Sequence, residues 1–138
     1  MILADTSAWV EYDRATGSAV DCRLSELIAA GGPSAVTEPV IMEVLAGARS
    51  DARESDLRRL LLRFHLYPFD AAADFESAAR IYRRCRKAGI TPRGLTDCMI
   101  AAVAWRYKAT LLACDVDLDR VARVIGVELA EPATPASS

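Results

Sequence analysis

The N-terminal stretch "MILADTSAWVEYDRA", residues 1–15, decides the fold class. The short apolar run "MILAD" ends in Asp5 and predicts a buried strand. The segment "TSAWVEYDRA" follows at once and predicts a helix with Thr6 or Ser7 as its N-cap. The same pairing returns late in the chain, where the predicted strand "ATLLACD" ends in Asp115 and the predicted helix "LDRVARVIG" comes after it. Because apolar strands that alternate with helices are typical of a covered parallel sheet, the sequence predicts an α/β fold.

The segments between these two pairs continue the alternation of strands and helices. Further helices are predicted at 18–32, 38–48, 52–65, 71–89 and 94–105, and further strands at 34–37, 66–69 and 127–130. Together they predict a central, mostly parallel β-sheet flanked by helices on both faces. We expect residues 1–131 to form a single domain and residues 132–138 to be a flexible C-terminal tail.

Composition and charge narrow the function classes. The chain has 138 residues, 52% of them hydrophobic, a net charge of −2 and a pI of about 5.4, so it carries no global electrostatic signal for nucleic acid. It has no apolar run of the roughly 20 residues that a bilayer requires, and its N-terminus lacks the basic region of a signal peptide. We therefore expect a cytoplasmic protein without a membrane segment.

The four cysteines are scattered and form no C-x-x-C pair. The single histidine, His65, is close to none of them in the sequence, which argues against a zinc site. We expect four buried free thiols.

The segment "GLTDCMIAAVAW", residues 94–105, is apolar except for Thr96 and Asp97. In a helix, Asp97 shares a face with Ile100, Ala101 and Ala104, and that face should turn toward the core. A helix N-terminus stabilises an anion by only about 0.3–1 kcal/mol, which is too little to offset burial of a carboxylate. Asp97 therefore either meets a positive partner or lies in solvent as an ordinary first-turn acid.

Four acidic residues can converge at one edge of the predicted sheet. Asp5 and Asp115 end two parallel strands, Glu43 flanks the apolar stripe of "VIMEVLAG", and Asp97 begins a helix. Each has an ordinary explanation by itself, namely a helix cap for Asp5, an exposed position for Glu43 and a solvated loop for Asp115. Gathered in one pocket, the carboxylates would repel one another, and Mg²⁺ or Mn²⁺ is the cation that suits such an all-oxygen set. A metal site of this kind is suited to phosphodiester hydrolysis.

These motifs resemble those of a known family. "LADTSAWVEY", "TEPVIMEVLAGA", "GLTDCMIAAVAWRYKATLL" and "ACDVDLDRVA" are similar, in order and spacing, to the four acidic motifs of PIN-domain ribonucleases, and most of all to those of the VapC toxins of bacterial toxin–antitoxin modules. The resemblance implies a PIN fold and an Mg²⁺- or Mn²⁺-dependent endoribonuclease. It also implies a cognate VapB-type antitoxin that blocks the site, and a homodimer that assembles with the antitoxin.

Carried over onto this sequence, the resemblance implies that Asp5, Asp97 and Asp115 are metal ligands. Glu43 would bind the metal directly or through water, or help to activate the attacking water. Ser7 would hydrogen-bond the carboxylate cluster, and it can serve as a plain N-cap as well. Asp117 matches the second acid of the family's last motif and is a secondary candidate for a metal ligand. The chain departs from that motif at Leu118, which replaces the usual aromatic residue, and at Val116, which replaces a residue that is often basic.

Basic residues precede the third acidic motif. They are Arg80, Arg83, Arg84, Arg86, Lys87 and Arg93. Basic side chains next to an acidic metal pocket would contact the phosphates that flank the scissile bond. Arg86 and Arg93 are the best candidates for RNA binding because they are nearest to Asp97 in the sequence. A solvated helix face explains the same pattern.

Two other function classes remain open at this point. One is a phosphoryl-handling α/β enzyme, such as a haloacid-dehalogenase-like phosphatase or a receiver domain. The first class usually has a second aspartate two residues after the nucleophile, where this chain has Ser7, and the second expects a lysine after a late strand, whereas Lys108 precedes its strand. The other alternative is a binding module that keeps the fold without activity.

Overall fold

The computed structural model describes residues 1–131; the predicted tail, 132–138, lies outside the described residues. The strands are β1 (Ile2–Ala4), β2 (Ser34–Val36), β3 (His65–Leu66) and β4 (Thr110–Leu112). The helices are α1 (Thr6–Asp13), α2 (Ala19–Ala30), α3 (Glu38–Ala46), α4 (Asp51–Leu61), α5 (Ala71–Lys87), α6 (Leu95–Tyr107) and α7 (Val116–Ile125). Every predicted helix is present, with ends that differ by a few residues.

The four strands form one parallel sheet in the order β3-β2-β1-β4. In the central strand, Ile2 is in register with Ser34 of β2 on one side and with Thr110 of β4 on the other. All strands therefore end at the same edge of the sheet. The predicted α/β fold with a mostly parallel sheet flanked by helices is confirmed.

Local details differ from the sequence-based expectations at three places. The last predicted strand, 127–130, is reduced to one parallel bridge between Leu111 and Leu129, beside β4. The strand predicted at 66–69 begins one residue earlier and has two residues. The N-cap of α1 is Asp5, whose side chain accepts a hydrogen bond from the Ala8 amide, and not Thr6 or Ser7. An aspartate side chain reaches the free amides of a first turn as readily as a hydroxyl does.

Helix α6 is the most deeply buried helix of the fold. Its residues from Cys98 to Ala104 are almost all inaccessible to solvent, together with Leu3, Leu111 and Leu112 of the two neighbouring strands. A helix that is apolar nearly all round belongs in the interior. Its first turn, which carries Asp97, is consequently drawn inward as well.

A buried ion pair joins α5 to α6. Arg106 donates from Nε and Nη2 to the two carboxylate oxygens of Asp74, at 2.9 and 2.7 Å, and Nη2 also donates to the Pro68 carbonyl at 2.6 Å. The Arg106 guanidinium lies over the Tyr107 ring, which is stacked on Tyr67. These contacts fix the two helices against each other, and α5·α6 is the most extensive helix pair of the structure.

The cysteines only partly match the expectation. Cys85 and Cys98 are buried, but Cys22 and Cys114 are exposed, and all four are free thiols. Cys22 lies in α2, and Cys114 lies in the loop after β4, where its thiol donates to Oε1 of Glu11 at 3.3 Å. Within residues 1–131, no helix has the length and apolar character needed to cross a membrane.

Candidate active site

The four predicted acids are supplied by four different elements. Asp5 follows β1, Asp115 follows β4 and is the N-cap of α7, Glu43 lies in the middle of α3, and Asp97 lies in the first turn of α6. Two of these positions are fixed by the shared edge of parallel strands, and the others by helices packed beside it. The structure therefore places all four acids around one end of the sheet.

Asp5 is the most buried of the four, with 2% of its surface exposed. Its Oδ1 atom accepts hydrogen bonds from the Ser7 hydroxyl at 2.7 Å and from the Ala8 amide at 3.2 Å. Burial raises the pKa of the Asp5 carboxyl to about 7; the hydrogen bonds from Ser7 and Ala8 lower it, and the charge of Asp97 raises it further. Asp5 thus has a helix-capping role and, at the same time, lies next to another carboxylate.

Asp97 is the electrostatic centre of the group. It is 9% exposed, and its pKa is raised to about 6 by burial and by the charge of Asp115, with smaller contributions from Glu43 and Asp117. The positive charge of Arg93 acts in the opposite direction. Each of the other acids therefore influences Asp97 or is influenced by it, which is the signature of carboxylates that share one site.

Glu43 is held by a residue whose function the sequence did not indicate. The Thr6 hydroxyl donates to Oε1 of Glu43 at 2.6 Å and joins the first turn of α1 to α3. Thr6 was predicted only as a possible cap, because its separation of 37 positions from Glu43 hides the contact. A hydroxyl directly before Ser7 in a strand-to-helix turn was the only available signal.

Asp115 has both carboxylate oxygens engaged. Oδ1 accepts from the Asp117 amide at 2.9 Å and caps α7, while Oδ2 accepts from Nη2 of Arg93 at 2.6 Å. The Arg93 side chain is 68% exposed and that of Asp115 is 9% exposed. The predicted basic residue closest to the acids is thus in direct contact with one of them.

Ser7 links the ends of the neighbouring strands β1 and β4 at the site. Its hydroxyl donates to Asp5, after β1, and accepts from the Cys114 amide at 2.8 Å, in the loop that follows β4. The predicted contact between Ser7 and the carboxylate group is therefore present. This bridge fixes the position of Asp5 relative to the segment that leads to Asp115.

The remaining predicted residues lie farther from the centre. Asp117 contributes its amide to Asp115, and its own partly exposed carboxylate is 4.0 Å from Arg120. Arg86 is exposed on α5, where it borders a shallow surface depression with Arg83 and Lys87. No contact joins Arg86 to the four acids in the part of the chain that the structure describes.

The chemistry of the donors fits a hard divalent cation, but the side chains are not arranged as a finished cage. Across residues 1–131, no three His, Cys, Asp or Glu side chains are grouped closely enough to hold a metal ion. Thr6 and Arg93 each engage one carboxylate oxygen, of Glu43 and of Asp115 respectively. The raised pKa values of Asp5 and Asp97 indicate a site short of positive charge, and oxygen ligands are those that Mg²⁺ and Mn²⁺ prefer.

Comparison with protein families gives a match over most of the chain. The PIN domain model matches residues 2–124, a range that contains all four acids. Two curated relatives are similar over nearly their whole length: VapC ribonuclease Mb1587 of Mycobacterium bovis and Ribonuclease VapC11 of Mycobacterium tuberculosis. Each is 44% identical over 131 residues, which cover 94% of this chain and 98% of the relative.

Solved structures with the same fold are more distant in sequence. VapBC2 from Rickettsia felis, bound to a DNA fragment from its promoter, contains a chain that aligns with a TM-score of 0.73 at 20% identity and covers 94% of this chain and 98% of that one. FitAcB from Neisseria gonorrhoeae aligns with a TM-score of 0.71 at 21% identity and covers 96% and 98%. At these identities the likeness establishes the fold.

Proposed function

The chain belongs to the PIN-domain family and, within it, to the VapC group, and from this premise we propose that it is a metal-dependent endoribonuclease toxin. The observation that carries the proposal is the grouping of Asp5, Glu43, Asp97 and Asp115 at one sheet edge, in a chain 44% identical to proteins named as VapC ribonucleases. The reaction would be hydrolysis of RNA phosphodiester bonds.

The acids would hold Mg²⁺ or Mn²⁺. Asp5, Asp97 and Asp115 are the proposed ligands, Glu43 is a ligand or orients the attacking water, and Asp117 is a secondary candidate. A bound Mg²⁺ or Mn²⁺ would supply a water of lowered pKa and neutralise charge that develops on the phosphate. The Arg93 hydrogen bond occupies the Asp115 oxygen that the α7 cap does not use, so this contact would open for that oxygen to reach a cation.

The surrounding residues hold the acids in place. Ser7 anchors Asp5, Thr6 anchors Glu43, and the Asp117 amide anchors one oxygen of Asp115. Partners that orient metal ligands commonly affect metal affinity or activity by 10–100-fold. The three contacts leave little rotational freedom at the site, which is what positioning of a water against a phosphate requires.

Basic side chains would place the RNA. Arg93 lies at the rim of the acidic site, and Arg86 lies on α5 in an exposed basic surface with Arg83 and Lys87. Contacts to phosphates fix the register of a nucleic acid without reading its sequence. We therefore expect Arg93 and Arg86 to affect RNA affinity.

A VapB-type antitoxin is the proposed protein partner, and a homodimer is the proposed assembly. Chains with this fold occur in VapBC2 of Rickettsia felis and in a toxin–antitoxin complex from Klebsiella pneumoniae. Large apolar side chains exposed on this chain are suited to contacts with proteins; they include Met42, Leu62, Phe75, Leu95, Trp105 and Val116. The proposed location is the cytoplasm, where reducing conditions keep cysteines such as these four free.

The test is RNA cleavage by purified protein after metal removal. We expect no cleavage in EDTA, recovery on addition of Mg²⁺ or Mn²⁺, and a loss of roughly 100-fold or more for Asp97→Asn. Asp56→Asn is the matched control, because Asp56 is an exposed aspartate on α4. Cleavage that survives EDTA, or is equal in Asp97→Asn and wild type, would contradict the proposal.

Two measurements separate the proposed enzyme from the alternatives. A folded protein that binds Mn²⁺ without cleaving any RNA would indicate a binding module. A stable aspartyl-phosphate on Asp5 would indicate the other phosphoryl-handling classes, which the PIN match over residues 2–124 disfavours. Sequencing the 5′ ends of RNA fragments after expression of the protein would identify the RNA target.

A further inference from the structure

One arginine already acts as the counterion of the acidic site. Nη2 of Arg93 is 2.6 Å from Oδ2 of Asp115, whose side chain is only 9% exposed. In the part of the chain that the structure describes, this is the ion pair that reaches the four acids. Positive charge that a metal would supply is therefore supplied, in part, by the chain itself.

We propose that Arg93 is an exchangeable internal counterion, which a divalent cation displaces from Asp115 when it binds. The inference rests on the proposed metal-dependent function and adds to it a competition between one side chain and the metal. Arg93 is a positioning residue in this scheme: it holds Asp115 when the metal is absent and lowers the apparent metal affinity.

The geometry at Asp115 suits such an exchange. Its Oδ1 is engaged by the Asp117 amide in the cap of α7, so that this oxygen is part of the fold. Its Oδ2 is engaged by Arg93. Loss of the arginine contact therefore releases one oxygen to a cation and leaves the helix cap intact.

The surroundings of Arg93 also allow it to move. The side chain is largely exposed and extends from the loop 88–94, while the adjacent Pro92 is buried and anchors the backbone. Release then requires rotation of a solvated side chain without rearrangement of the loop. The Asp115 side chain is only 9% exposed, so the contact is exchanged from its solvated side, which is Arg93.

Arg106 provides the contrast within the same molecule. Its guanidinium contacts both oxygens of a buried Asp74, a carbonyl and an aromatic ring, so that its exchange would leave a buried charge without a partner. Arg93 makes a single contact to a single carboxylate oxygen. The Arg106–Asp74 ion pair is therefore a permanent part of the fold, whereas the Arg93–Asp115 ion pair can be exchanged.

The experiment measures Mn²⁺ binding to the full chain by calorimetry, without RNA. We expect Arg93→Gln to bind Mn²⁺ about two- to fivefold more tightly than wild type, because the guanidinium that competes for Asp115 is largely solvated and holds it only weakly. Arg93→Lys, which keeps the charge, should stay close to wild type. Arg63→Gln is the matched control, because Arg63 is exposed at the opposite end of the sheet, near Met1 and Pro33.

A second readout separates competition from simple stabilisation. The increase in Tm on addition of Mn²⁺ should be larger for Arg93→Gln than for wild type, while the Tm in EDTA should not rise. A merely structural role would lower both Tm values equally and leave the difference unchanged. Arg93→Met provides a second neutral variant should Arg93→Gln fold poorly.

The outcomes distinguish the two proposals. Mn²⁺ affinity that is unchanged or weaker in both neutral variants, with binding abolished by Asp97→Asn, overturns the counterion role and leaves the metal site standing. An absence of Mn²⁺ binding in wild type overturns both proposals. Tighter binding in the neutral variants, lost on adding Asp97→Asn, supports both.

Discussion

At the scale of single residues, Asp97 of the acidic site lowers the stability of the folded protein when its carboxyl is ionised. Burial and neighbouring carboxylates raise the pKa of Asp97 to about 6, above the value of about 3.9 for an unfolded chain. The folded protein therefore binds this proton more tightly than the unfolded chain does. The contribution of Asp97 to the free energy of unfolding in EDTA consequently falls as pH rises from about 4 to above 6.

Replacing Asp97 by Asn removes this cost of ionisation. In EDTA at pH 8, we expect Asp97→Asn to raise the free energy of unfolding by about 1–3 kcal/mol, and near pH 4 to bring no such gain. Urea denaturation at the two pH values checks the prediction, with the exposed Asp56→Asn as control. An equal effect of Asp97→Asn at both pH values would show that folding does not raise the pKa of the Asp97 carboxyl.

The Thr6 hydroxyl is expected to affect RNA cleavage only through its hydrogen bond to Glu43. Thr6→Val keeps the side-chain shape and removes the 2.6 Å hydrogen bond, so RNA cleavage should fall about 10-fold or more while the fold is retained. Thr110→Val, at the opposite end of the sheet, is the control and should leave cleavage near wild type. Wild-type cleavage by Thr6→Val would mean that Glu43 needs no anchor.

At the scale of the elements, strand ends were easier to predict than contacts between side chains. The convergence of Asp5 and Asp115 follows from apolar runs that end in aspartate, because parallel strands share one carboxyl edge. The inward position of Asp97 follows from the apolar character of the whole helix that it begins. Both inferences use local sequence patterns and one general rule of sheet topology.

Contacts between distant residues could not be predicted in this way. The pairs Thr6–Glu43 and Arg93–Asp115 join residues 37 and 22 positions apart, in segments that meet only in the folded chain. The last strand, 127–130, was overestimated because it lies beside β4 at the edge of the sheet, where only Leu111 pairs with it. Apolar composition indicates such a segment, but it does not set the extent of pairing.

The Arg106–Asp74 ion pair is expected to be the main polar interaction that holds α5 against α6. Asp74 is 1% exposed and the Arg106 side chain is 29% exposed, so Arg106→Gln leaves a buried carboxylate with no cation. We expect a loss of about 3–5 kcal/mol in the free energy of unfolding, measured with urea. Arg59→Gln removes an exposed pair with Asp56 and should change stability by less than about 1 kcal/mol.

A double variant tests whether this cost arises from the pair itself. Asp74→Asn removes the buried charge, so Arg106→Gln should cost much less in that background than in wild type. Additive effects of the two substitutions would assign the loss to packing of the Arg106 stem on Tyr107.

At the scale of the whole molecule, metal binding and proton binding draw on the same carboxylates. With a net charge of −2, the chain has no large positive field that would attract an RNA by itself, so a cation at the acids would change the local charge decisively. Proposed ligands with a raised pKa must lose their protons before they bind a metal. Affinity for Mn²⁺ should therefore depend on pH in a range where ordinary carboxylates are already fully ionised and their metal affinity no longer changes with pH.

The expected size of this effect follows from the pKa of Asp5, about 7, and that of Asp97, about 6. If both must ionise, Mn²⁺ affinity should fall about 100-fold from pH 8 to pH 5.5, and stabilisation by Mn²⁺ at a fixed concentration should shrink with it. Calorimetric titrations at several pH values measure the affinity. A constant affinity between pH 5.5 and 8 would be the behaviour of solvated aspartates, and it would contradict a metal site built on buried ones.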